Sequence, residues 1–113
     1  MLKQKKKILL DLDGVLNTYT NDFEPCYIPP ARDDTLDFVK QLSQNYEIKL
    51  FTTRDKFLAS IWLIENHLDD YIKDITNEKE VAWLIVDDRC IRFNGHYDEL
   101  LRDIDNFKVW HKS

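Results

Sequence analysis

Two short apolar runs, each stopped by a pair of aspartates, constrain this chain more than any other feature. Ile8-Leu9-Leu10 runs straight into Asp11-Leu12-Asp13-Gly14, and Ala82-Trp83-Leu84-Ile85-Val86 runs into Asp87-Asp88. A half-exposed strand alternates apolar with polar residues, whereas a strand apolar on both sides belongs inside a covered parallel sheet. Strands are therefore expected over 8–12 and 82–86, with Gly14 permitting a sharp turn after the first.

The segments between them alternate in type. Residues 46–51 form a further strand candidate, closed by Thr52-Thr53-Arg54, and 71–75 a short one. Leu36, Val39 and Leu42 recur at helical spacing over 33–44, with Asp33 and Asp34 where a helix N-terminus favours negative charge. Leu58, Ile61 and Trp62 give an apolar stripe to a helix over 55–67, and Leu100, Leu101 and Ile104 are expected to face inward from a helix over 97–104. Residues 15–32, broken by Asn17, Asn21, Asp22, Pro25, Pro29 and Pro30, read as a long loop that covers part of a site. Its Phe23, Tyr27 and Ile28 suit either a substrate-contacting flap or anchors in the core. The expectation is one α/β domain over residues 1–113: a three-layer, Rossmann-like fold with a central parallel sheet and helices on both faces.

Composition removes several function classes. The 113 residues hold 16 Lys and Arg against 21 Asp and Glu, a net charge of −5, which disfavours long nucleic acid as a partner. The basic run at residues 3–7 reads as a solvated chain end. No apolar run approaches a membrane span, and the lysine-rich start lacks the apolar stretch of a secretion signal. Cys26 and Cys90 stand far apart, and with His67, His96 and His111 they make no local zinc motif, so a reducing cytoplasm is the expected location. With only Gly14 and Gly95 there is neither a dinucleotide-binding glycine fingerprint nor a Walker loop.

Parallel sheets place their sites at the carboxyl ends of the strands. Here those ends carry Asp11 with Asp13, Thr52 with Thr53 and Arg54, and Asp87 with Asp88. Four carboxylates at neighbouring strand ends repel one another unless some protonate or a cation binds. Magnesium, a hard ion that keeps water and accepts a phosphate oxygen, suits such a set. The plainer alternative is that the aspartates cap turns and helices. A competing signal is Cys26 with Arg32, the C-x5-R spacing of cysteine-dependent phosphatases. The intervening YIPPA contains no glycine, and Pro29 and Pro30 have no N–H to offer a phosphate.

The chain resembles the haloacid dehalogenase (HAD) superfamily of phosphatases, in its small type without a cap domain. Asp11-Leu12-Asp13-Gly14 in LLDLDGVLN matches the first motif, Thr52 in KLFTTRD the second, Lys79 in TNEKE the third, and Asp87-Asp88 in WLIVDDR the fourth. The four fall in the family's order over nearly the whole chain. The resemblance implies a HAD-like hydrolase that cleaves phosphate monoesters with Mg2+. Asp11 would be the nucleophile that forms an aspartyl-phosphate. Asp13 would be general acid and then base, protonated for the first step through crowding by nearby carboxylates. Thr52 and Lys79 would hold the transferring phosphoryl group, with Thr53 in place of Thr52 if the register shifts by one, and Lys73 as the fallback for Lys79. Asp11, Asp13 (through its carbonyl), Asp87 and Asp88 would hold the metal. Arg54 would contact substrate phosphate or pair with Asp55 or Glu24, and Arg89 reads as a structural partner of a nearby carboxylate. The implied partner is a phosphorylated small molecule or an exposed phosphoester. An alternative of another class is a non-catalytic module that binds a metal and a phosphorylated partner. A third is a nucleic-acid terminal phosphatase, which would bind nucleic acid in a salt-sensitive way. Trp62, Trp83 and Trp110 are expected to be buried or half-buried, and the tail 107–110 to fold back on the sheet or dock on a neighbour in a homo-oligomer.

Overall fold

A computed structural model describes residues 4–20 and 22–108. Four strands, β1 (Lys6–Asp11), β2 (Tyr46–Phe51), β3 (Ile72–Thr76) and β4 (Leu84–Val86), form one sheet in the order β3-β2-β1-β4. All pairings are parallel, with Asp11 beside Phe51 and Leu10 beside Val86. Three helices accompany them: α1 (Thr35–Ser43), α2 (Lys56–Glu65) and α3 (Tyr97–Asn106). The α/β class and the parallel sheet thus agree with the sequence pattern.

Successive strand residues point to opposite faces, and that alternation locates the core. Ile8 and Leu10 of β1 join Ile48 and Leu50 of β2 on one face, where Val39 of α1 and Ala59, Trp62 and Leu63 of α2 close over them. Leu9, fully buried, points the other way. On its side Lys49 pairs with Glu80 (2.8 Å) and Asp74 (3.1 Å), and Lys7 reaches Glu80 at 3.5 Å.

Helix ends follow local chemistry. Asp55 caps α2 by accepting a bond from the Leu58 N–H at 3.0 Å. The helix stops two residues short of the expected 67, because His67 takes a left-handed φ of 60° and the Leu68 N–H returns to the Leu63 carbonyl.

Two expectations are corrected. The 82–86 strand contracts to three residues and lies at the sheet edge, so it is covered on fewer sides than a central strand: Leu84 is 46% exposed and Trp83 53%. Trp83 is held by stacking on Tyr46 at 5.5 Å rather than by burial. The helix α3 does form, but it buries no side chain, and Leu101 (66% exposed) and Ile104 (54%) face solvent instead of the sheet. Trp62 is buried as expected, whereas Val109 and Trp110 of the 107–110 tail lie outside the described residues. No helix among the described residues is long and apolar enough to cross a membrane.

Candidate active site

Because β1, β2 and β4 are parallel neighbours, their carboxyl ends open on one edge of the sheet. Asp11 closes β1, and Asp87 and Asp88 follow β4. Each of these three half-buried side chains offers a carboxylate oxygen within 4.8 Å of the other two. Burial, and then the charges of Asp87, Asp88 and Asp13, push the Asp11 carboxyl up to about 8. Burial first and crowding second therefore favour the protonated form of Asp11.

The chain leaves β1 through a single wide turn of π type, Leu12–Leu16, interrupted at Asp13 and Gly14 by non-helical backbone. That turn returns Asp13 to the same edge, although it lies only two residues beyond Asp11. Gly14 has a φ of +87°, and a Cβ there would fall 2.1 Å from an Asp88 carboxylate oxygen. Only glycine allows both this backbone and so close an approach of Asp88. Hard oxygen donors gathered around a glycine-made gap fit a magnesium ion, and Asp11, Asp87 and Asp88 are the residues that would hold it. Asp87 also accepts a bond from the Arg89 N–H at 2.9 Å, which fixes the turn after β4.

Asp13 belongs to a separate polar cluster. Both of its oxygens accept from Arg54 Nε, at 3.1 and 2.9 Å, and Oδ1 also accepts from Asn17 Nδ2 at 3.0 Å. The Arg54 side chain is 1% exposed. Its Nη1 donates to the carbonyls of Glu24 (2.8 Å) and Tyr27 (3.0 Å), and the guanidinium lies 4.6 Å from the Phe23 ring centroid. Arg54 thus ties Asp13 to the 15–32 loop through Nε and Nη1, while its buried Nη2 has no hydrogen-bond partner among the described residues. Of the two carboxylate partners expected for it, neither is used: Glu24 contributes its backbone carbonyl, and Asp55 caps α2.

Asn17 is the residue that sequence reasoning missed. Fully buried, it accepts from the N–H groups of Gly14 (3.1 Å) and Tyr19 (3.0 Å) while donating to Asp13. Its sequence signal was an Asn just after a glycine turn, where a side-chain amide can stand in for backbone. Asn17 also bridges Ala31, and the Thr18 N–H bonds the Pro30 carbonyl at 3.0 Å, so the loop closes as an antiparallel flap. In that flap Phe23 and Tyr27 are exposed and Ile28 packs against the core, which divides the two roles considered for them.

Thr52 is buried one residue beyond β2, with its N–H on the Thr76 carbonyl and its Oγ1 accepting from the Arg54 N–H at 3.1 Å. A hydroxyl that accepts still has its own proton to donate. Thr53 is exposed. Lys79 is exposed in the connection from β3 to β4 and makes no ion pair among the described residues. Lys73 is exposed on β3. The structure therefore brings Asp11, Asp13, Thr52, Asp87 and Asp88 to one edge. Cys26 is exposed, and the amides of Cys26, Tyr27 and Arg32 bond Glu24 Oε1, the Glu24 carbonyl and the Leu16 carbonyl. Donors spent in this way build no phosphate cradle.

No family model matches this chain, and neither the curated proteins nor the solved structures compared with it contain a significant match.

Proposed function

We propose that this chain is a magnesium-dependent phosphomonoesterase of the HAD-like kind that acts through an aspartyl-phosphate on Asp11. The observation that carries this reading is the approach of Asp11, Asp87 and Asp88 to within 4.8 Å at the carboxyl edge of the sheet. An Asp11 oxygen attacks phosphorus as the bond from phosphorus to the ester oxygen breaks, and Asp13 gives its proton to the departing oxygen. Water then attacks phosphorus, Asp13 takes the proton from that water, and the bond from Asp11 to phosphorus breaks. Arg54 and Asn17 fix the Asp13 carboxyl at the strand end, and Thr52 donates its hydroxyl proton to a phosphoryl oxygen. Lys79 makes no ion pair with these carboxylates among the described residues, so a bound magnesium ion would supply the charge neutralisation that the resemblance assigns partly to a lysine.

The same lack of an ion pair at Lys79 favours a second reading, a metal-holding module that binds a phosphorylated partner without turnover. Hydrolysis of p-nitrophenyl phosphate decides between them. The phosphatase reading expects turnover with Mg2+ that vanishes with EDTA and falls at least about a thousandfold in Asp11→Asn, the loss typical of a removed nucleophile. Activity that survives Asp11→Asn overturns the nucleophile. Magnesium-dependent phosphate binding without turnover supports the binding module.

A further inference from the structure

A cleft of about 520 Å³ opens beside the carboxylates, bordered by Asp87 and Asp88 and walled by Val15, Phe38 and Val86. Its volume lies in the range of small-molecule sites. Resting on the phosphatase reading, we propose that this cleft takes the alcohol portion of the substrate, and that this portion is a flat apolar ring. The substrate class is then an aryl phosphate monoester rather than a phosphosugar, a nucleotide or a nucleic-acid end.

Three features select that class. Phe38 of α1 is 43% exposed although it lines the cleft, while its helix buries Thr35 and Val39 instead. It therefore offers a ring face that the core does not use, and aromatic pairs prefer offset or edge-to-face packing. A hydroxyl-rich alcohol gains no donor from Thr35, also in the lining, because that hydroxyl already donates to the Leu16 carbonyl at 2.8 Å. Charge excludes polyanions: Arg32 is the one cation among the described lining residues, against the carboxylates of Asp34, Asp87 and Asp88. A cation held by Asp11, Asp87 and Asp88 would neutralise one phosphoryl group, but a second would meet that excess of negative charge.

The test uses phosphonates, which resist hydrolysis, so it does not depend on turnover. Benzylphosphonate mimics an aryl ester and 2-hydroxyethylphosphonate a polar one, each titrated calorimetrically into the full chain with Mg2+. Benzylphosphonate is expected to bind roughly tenfold more tightly, the order of one aromatic contact. Phe38→Ala should collapse that ratio toward one, and Phe38→Leu should leave an intermediate ratio. Both variants are checked by circular dichroism for a native fold. Equal affinities, no binding of either phosphonate, or a ratio indifferent to Phe38 would overturn the proposal. Aryl-selective binding in a protein that hydrolyses no monoester leaves the cleft assignment standing and removes the phosphatase reading. Asp11-dependent hydrolysis with no aryl preference in binding does the reverse.

Discussion

Asp11 carries a proton through most of the neutral range because ionising it would place a charge, partly removed from water, beside Asp87 and Asp88. The sign of the resulting pH dependence follows from linkage. In the unfolded chain Asp11 titrates near the ordinary value of 3.8, and in the metal-free fold at about 8. Between these values the folded state holds a proton that the unfolded state has lost, so stability is full below 3.8 and declines as pH rises toward 8. The slope is at most about 1.4 kcal/mol per pH unit, and less for a group that water still partly reaches. In urea denaturation with EDTA, Asp11→Asn should match the native sequence near pH 4.5 and exceed its stability by a few kcal/mol at pH 8. An equal difference at both pH values would show that Asp11 is not the strained carboxylate. The neighbouring Asp13 follows a different logic: a guanidinium holds it, and that guanidinium also pins the flap through two carbonyls. Nothing in the spacing of Asp13 and Arg54, 41 residues apart, indicated their ion pair, because the pairing depends on how residues 15–32 fold.

At the scale of elements, the sequence was most legible where one physical cause dominated. The apolar segment of β1 announced itself because burial on both faces admits no polar alternation, and Val39 and Trp62 marked core-facing helix stripes. The π-type turn and the flap were not legible, since they rest on Asn17 and Arg54 bonds between residues that no periodicity connects. The helix α3 taught a further lesson. Tyr97, Leu100, Leu101 and Ile104 have the spacing of a core stripe, and that spacing does specify the helix, yet it does not say what the stripe meets. The two readings differ sharply in energy. A stripe packed on the sheet would lose about 2–5 kcal/mol when a leucine is removed, whereas a residue as exposed as Leu101 belongs with surface positions, usually within about 0.5 kcal/mol. Leu101→Glu is therefore expected to leave the urea midpoint of the dilute protein nearly unchanged. A loss of more than about 2 kcal/mol would mean that α3 is covered in solution.

For the whole molecule, the acidic edge sets the cost of folding against the cation proposed for it. Three carboxylates converge where the sheet topology puts them, and the fold tolerates this by protonating Asp11 rather than by pairing it with a lysine. A ligand that binds only the folded state stabilises it by mass action, by about 2.7 kcal/mol at a hundred times its dissociation constant. In a chain of this length each kcal/mol moves the melting temperature by roughly 4 °C, so saturating Mg2+ should raise it by about 10 °C. The gain must depend on pH, because the ion competes with the proton on Asp11. It should be large at pH 8, where little proton need be displaced, and small at pH 5, where the folded state keeps its proton. Thermal melts with Mg2+, with potassium at matched ionic strength, and with Asp11→Asn separate this from general screening of the net charge of −5. Potassium should give little, and the variant should lose most of the pH dependence. If Mg2+ gave the same gain at pH 5 and pH 8, or no more than potassium, the acidic edge would be a strained surface without a cation of its own, and the phosphatase reading would lose the observation on which it stands.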